Sequence, residues 1–531
     1  MTSFAGTANL LRLSIRRDRF ILPIWVLLPC LAFWGQISFT MAMPDWQAFL
    51  AELSASPLTG AILGPIVPLT LEGAIMWRST VQGAMVLMIS APLVVIRHTR
   101  SEETSGRAEL YLSRPTDKFA PFMAALILSM GGCLTAGVLI SIVLLVSGFA
   151  VEGSVLAGLT VAFSGCFFAG SALITAQAFT APKSAWIAVT MLVGSTYFTM
   201  VMNNLSGGIS GWIWLAPESW YRLTVPFGSN FVWPLFVFAF ICLAAVGRAF
   251  ALLRNRDIGG GLFAEPAGNT KAPKFLTTPF ALNLWQNKNT ALFWGLGMAF
   301  IGAAIGAIVP TIADQMSEML AGFASWGPAM AKLGNQEGFA ALMIYMLGLM
   351  GAGSVFVISI MTGLKSDESA GYAEMMLAKP ISRVRYMVSF IAMVFLYIAV
   401  ILTALGFAAG IGWSIVTGDG AFILKALGMS ISKIPSLWLI TGFAAFLYGV
   451  APKIQTVLSS LLIGALIVLE MFWEVGLVPW SVLAPTPFGI AHYSIPIDEL
   501  SILPLAIAAI LAFGLTFLGV RGFIKRNIIS G

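Results

Sequence analysis

The ionisable side chains of this chain are few, and two groups of them form a repeat. Arg100–Pro115 reads RSEETSGRAELYLSRP and Lys365–Pro380 reads KSDESAGYAEMMLAKP; the two align without a gap. Seven of the sixteen pairs are identical: Ser101/Ser366, Glu103/Glu368, Gly106/Gly371, Ala108/Ala373, Glu109/Glu374, Leu112/Leu377 and Pro115/Pro380. Each copy has an acidic start, a glycine, then Ala-Glu-x-x-Leu-x-(Arg/Lys)-Pro, which reads as a short helix ended by proline. Charges at Glu109 and Arg114, or Glu374 and Lys379, flank apolar knobs at Leu110 and Leu112, or Met375 and Leu377. Such a helix can dock into a groove on a partner. It can also be a solvated loop helix that only orients the spans beside it.

Two further ionisable residues stand inside apolar text. Lys433 precedes Val450 by the same length of chain by which Glu470 follows Lys453. On adjacent helices this puts both roughly 26 Å above the same boundary, where they can pair. A gate or a polar contact for substrate is one role for them; interfacial snorkelling or a structural pair is the other. Asn203 and Asn204 end an apolar run at a comparable depth and join the candidate path. No catalytic constellation is visible. Cys30, Cys133, Cys166 and Cys242 sit singly in apolar runs and read as small buried hydrophobes. With His98 and His492 the only histidines, no metal cluster is expected.

The elements that position these residues follow from composition. The chain is 58% hydrophobic and 10% charged, where soluble domains carry about 25% charged residues. Apolar runs long enough to cross a bilayer, roughly twenty residues, recur throughout and predict an all-α polytopic membrane protein. Twelve transmembrane helices are expected: 20–42, 77–97, 119–149, 154–180, 184–204 and 230–252, then 291–312, 341–364, 385–415, 428–450, 454–474 and 501–521. With the N-terminus in the cytosol, all but five of the 29 Lys and Arg fall on the cytosolic side. The exceptions are Arg78, Arg222, Lys332, Lys425 and Lys433. The positive-inside rule therefore predicts cytosolic termini and puts both copies of the repeat in the cytosol. The basic balance then needs no nucleic acid to explain it.

The repeat extends further. Ala181-Pro182-Lys183 recurs as Ala451-Pro452-Lys453, and Leu215-Ala216-Pro217 as Leu483-Ala484-Pro485. Two parallel, pseudo-symmetric six-helix halves are expected, 1–252 and 291–531, joined by a cytosolic linker over 253–290. Amphipathic interfacial stretches are expected at Leu10–Arg19 and near Phe280–Trp285. Extracellular helices are expected over 43–76 and 313–340, and short re-entrant or interfacial helices over 205–229 and 475–500.

The motif Glu-x-x-x-Gly-x-x-Glu-x-x-Leu-x-x-Pro after a second span resembles the ABC-2 class of ATP-binding-cassette permeases. The fused double length is similar to polyketide-antibiotic and multidrug exporter permeases. The resemblance implies that the region carries the coupling helix that contacts the ATPase. It would give that role to Glu102, Gly106, Glu109, Leu112 and Pro115, and to Asp367, Gly371, Glu374, Leu377 and Pro380. The first acid of the pattern can equally be Glu103 or Glu368. It also implies two copies of an ABC ATPase subunit as partners, with ATP and Mg bound by them and no cofactor in this chain. Membrane lipid and a small hydrophobic, antibiotic-like or drug-like substrate complete the set, at the inner or plasma membrane. Neither Gly-x-x-x-x-Gly-Lys-(Ser/Thr) nor even Gly-Lys occurs in the sequence, so the chain reads as a transport subunit, not an enzyme. The alternative is a twelve-span secondary transporter driven by an ion gradient. It would need coupling carboxylates at mid-membrane, and the sequence has none.

Overall fold

A computed structural model describes residues 4–41, 46–47, 64–207, 209–263, 273–321, 335–474, 477–495 and 500–528. Among them the regular structure is helical, apart from one isolated bridge between Phe179 and Phe263. Among the described residues eleven helices are long and apolar enough to cross a membrane. The expected span at 454–474 is helical over Gln455–Glu474, but its apolar part, Gln455–Glu470, is shorter than the others. The chain is a multi-pass helical membrane protein, and it divides into two compact units, Met1–Gly268 and Asn269–Gly531.

In the first unit the helix Val151–Ala178 is central, packed on Leu71–His98, Ala120–Val146 and Trp233–Arg254. Small residues allow the approach. Gly137 and Gly158 face each other so closely that a Cβ on either would strike the carbonyl of the other. Helices Pro182–Leu205 and Trp233–Arg254 are mostly uncovered and show Met191, Phe236, Phe240 and Leu243, apolar faces suited to lipid. The amphipathic helix Thr7–Arg17 is separate from Ile21–Met41, as expected of an interfacial helix.

In the second unit Pro279–Ala321 packs along Arg383–Thr417, and Ile434–Val450 along Ile502–Lys525. Here the expected separate interfacial stretch near Phe280–Trp285 is corrected: it is the first turns of a single helix, Pro279–Ala321. The first unit breaks at Asp18, whose buried carboxylate is held by Arg97 and His98. The matching text, Asn289-Thr290, carries no such anchor, so nothing interrupts the helix. Two other breaks were not anticipated. Ile344–Gly353 is a π-helical run inside a longer helix, with the Ser354 hydroxyl donating back to Leu349 O at 2.7 Å. The expected span 428–450 begins earlier, at Phe422, and is interrupted at Ser432–Lys433. Of the outer helices expected over 43–76 and 313–340, residues 43–45, 48–63 and 322–334 lie outside the described residues, as does 264–272 of the linker. The flanking parts 71–76, 313–321 and 335–340 are continuations of the neighbouring long helices and not separate outer helices.

Candidate functional site

Each copy of the repeat builds the same short helix, Arg107–Leu112 in one unit and Tyr372–Leu377 in the other. Gly106 and Gly371 precede them with φ of +73° and +78°, a left-handed turn that glycine adopts without strain. Open space surrounds both glycines, so φ and not crowding selects them. Ala108 and Ala373 are buried beneath the helices. Glu109 and Glu374 are exposed, and so are Leu110 and Met375, at 72% and 67%. Leu112 and Leu377 are half-buried, while Pro115 and Pro380 lie exposed just past the helix ends.

Three of the four acids at the start, Glu102, Glu103 and Glu368, are spent inside their own unit. Glu102 is buried and accepts a hydrogen bond from Arg17 of the amphipathic helix at 2.7 Å. Asp367, its counterpart, is half-buried and lines a hollow with Asn283, Gln286, Tyr372 and Lys379. Glu103 is gripped by Arg256, whose Nη1 lies 2.9 Å from Oε2 while Nη2 bonds Oε1. Arg100 adds a bond to Glu103 at 2.9 Å. Glu368 is gripped the same way by Arg526, Nη1 to Oε1 at 2.6 Å and Nη2 to Oε2. Of the two acids that the motif left interchangeable, Glu103 and Glu368 have equivalent surroundings. Arg256 and Arg526 were missed from sequence. They are separated by the same offset as Lys183 and Lys453, and extending the repeat past the last helices would have found them.

Burial pushes the Tyr111 phenol well up, reinforced by nearby Glu102 and Glu103. That ring and Pro121 border the cleft between the short helix and the amphipathic helix.

The expected Lys433–Glu470 pair is corrected. Both are fully buried, but each meets the segment Pro487–Ser494 instead of the other. The Lys433 ammonium donates to Ala491 O at 3.1 Å, Ser494 O at 3.2 Å and the Ser494 hydroxyl. It sits at the end of a short helix, where free carbonyls attract a cation. Glu470 Oε1 lies 2.6 Å from His492 Nε2, and Trp473, Trp480 and Tyr345 surround that imidazole. In the first unit Asn203 accepts from Ser210 N at 2.9 Å and Asn204 from Arg222 Nη1 at 2.6 Å. These asparagines thus fasten the Ser206–Thr224 segment. Nearby Glu218 is buried, accepts from Thr196 at 2.7 Å, and is pushed up to about 7 by burial. Among the described residues no cluster of His, Cys, Asp and Glu is arranged to hold a metal.

Fold and site together define a multi-pass helical membrane protein of two units, each with one short polar helix at its basic end. Residues 276–524 match the family model described as the C-terminal domain of the multidrug efflux system permease Rv1217c. The chain is also 29% identical, over 99% of its length and 96% of the relative's, to the multidrug efflux system permease protein Rv1217c of Mycobacterium tuberculosis. It is therefore similar to that permease from end to end.

Proposed function

We propose that this chain is the membrane-spanning permease of an ATP-driven ABC-2 exporter that moves hydrophobic or amphipathic, drug-like compounds out of the cell. The observation that carries this reading is the twice-built helix with its left-handed glycine, buried alanine and outward glutamate and apolar knob. Similarity to a multidrug efflux permease along nearly the whole chain supports the export of drug-like compounds. In this reading twelve spans form two parallel halves, the termini are cytosolic, and each short helix docks one ATPase subunit. ATP and Mg reside in those subunits. The mainly apolar faces of the helices suit a substrate that enters from lipid.

Inverted membrane vesicles holding the chain and its ATPase test the reading. Uptake of an amphipathic fluorescent dye is expected to require ATP, to stop with vanadate and to persist when the proton gradient is collapsed. Uptake that follows the gradient and ignores vanadate would instead mark a secondary transporter.

A further inference from the structure

Two contacts that grip the repeat occur in both units, and both reach the same element. On the acidic side, Glu103 is held by the Arg256 fork and Glu368 by the Arg526 fork. Each arginine stands just past the last long helix of its unit, Trp233–Arg254 or Ile502–Lys525. On the far side of the short helix, Lys118 Nζ donates to Arg254 O at 3.2 Å and Arg383 Nη1 to Ile524 O at 2.9 Å. Lys118 and Arg383 are offset as Arg100 and Lys365 are, which is the register of the repeat itself. Arg254 and Ile524 are offset as Arg256 and Arg526 are. A third member completes each set. Gln177 Oε1 accepts from Arg256 Nε at 2.8 Å, and the Tyr448 ring lies 5.0 Å from the Arg526 guanidinium. Gln177 and Tyr448 keep nearly the same offset as the two arginines, and both lie near the end of the fourth long helix of their unit.

Chance pairing does not give three contacts in matching registers, one with the same Glu–Arg pair and two with side chains that differ in type but repeat in position. Surface solubility does not explain them either, because the acids and arginines are largely buried. A planar fork on a carboxylate fixes orientation as well as distance.

We propose that Glu103–Arg256 with Lys118–Arg254, and Glu368–Arg526 with Arg383–Ile524, are equivalent clamps that make the short polar helix and the last helix of each unit move as one body. They are positioning contacts. They rest on the docking reading for their purpose, since a load taken up at the short helix would pass directly to the last span, but not for their existence.

The test uses the full chain with spin labels at Ala378→Cys and Arg521→Cys, both exposed. The four native cysteines are buried and stay unlabelled. The intact clamp is expected to give one narrow separation, the same in nucleotide-free and vanadate-trapped complexes. Glu368→Gln is expected to broaden it about twofold and make it nucleotide-dependent, while the ATPase is still captured. The exchange Glu368→Arg with Arg526→Glu is expected to restore the narrow separation, a rescue that loss of packing alone would not show. If Glu368→Gln does not fold, Arg526→Lys keeps the charge, loses the fork and is expected to broaden the separation partly. A separation that varies with nucleotide in the native clamp, or stays narrow in Glu368→Gln, overturns the proposal. Capture of an ATPase by the native chain is scored apart: its failure removes the docking reading, and the width measured in the chain alone still decides the clamp.

Discussion

Glu218 shows what burial does to a single carboxylate outside the long helices. One oxygen accepts from Thr196, and the other is buried with no partner among the described residues. Its folded pKa, about 7, lies above the ordinary 4.5. The folded state thus holds the proton more tightly than the unfolded state, so stability falls as pH rises from about 4.5 to about 7. The shift corresponds to ~3 kcal/mol. Glu218→Gln is expected to raise the melting temperature in detergent at about pH 8 and to leave it nearly unchanged at about pH 4.5; equal effects at both would contradict this. Lys433 is as deeply buried but has three hydrogen bonds to the Ala491–Ser494 segment. Lys433→Met strands the Ser494 carbonyl, while Ala491 O keeps the Ser494 amide and hydroxyl as donors, and a loss of about 1–3 kcal/mol is expected. Glu470→Gln keeps an acceptor for His492 and is expected to cost less. A melting series of both variants separates these outcomes. The acidic start of the repeat is legible in sequence as charge, but not as destination: Glu103 and Glu368 look like surface residues until Arg256 and Arg526 fold onto them.

Helix packing sets the next scale. Gly449 and Gly519 bring Ile434–Val450 and Ile502–Lys525 together so tightly that a Cβ on either would strike backbone of the other helix. Backbone cannot rotate away as a side chain can, so Gly449→Val is expected to cost at least about 1–3 kcal/mol. Gly106→Val, in open space but at positive φ, is expected to cost only about 1–2 kcal/mol. Its effect should appear as fraying of the short helix, read by amide hydrogen exchange, with global melting little changed. The long apolar helices were readable because apolar runs of bilayer length have few other fates. The short helix was readable because glycine and proline bracket it. What escaped was the joining of elements. Asp18 breaks the first unit's entry and Asn289 does not break the second's; the difference depends on Arg97 and His98, on a different helix and far along the chain. The π run at Ile344–Gly353 has no sequence signature beyond its glycines.

At the scale of the whole molecule, two units carry one device each, with unequal surroundings. Glu102 is tied to Arg17, while Asp367 opens on a hollow; Arg107 stands opposite Tyr372, which is 59% exposed. The outward faces of the two short helices are related in sequence and different in chemistry, and on the proposed docking reading they would hold two ATPase subunits with unequal strength. The central claim is that these faces receive an ATPase, and affinity capture from native membranes tests it most directly. The native chain is expected to bring down a P-loop ATPase in a ratio of two to one. Glu109→Arg alone or Glu374→Arg alone is expected to weaken capture by about tenfold, and the double variant to abolish it, at roughly 1.4 kcal/mol per tenfold. Full capture by the double variant, or no P-loop protein with the native chain, would contradict the account.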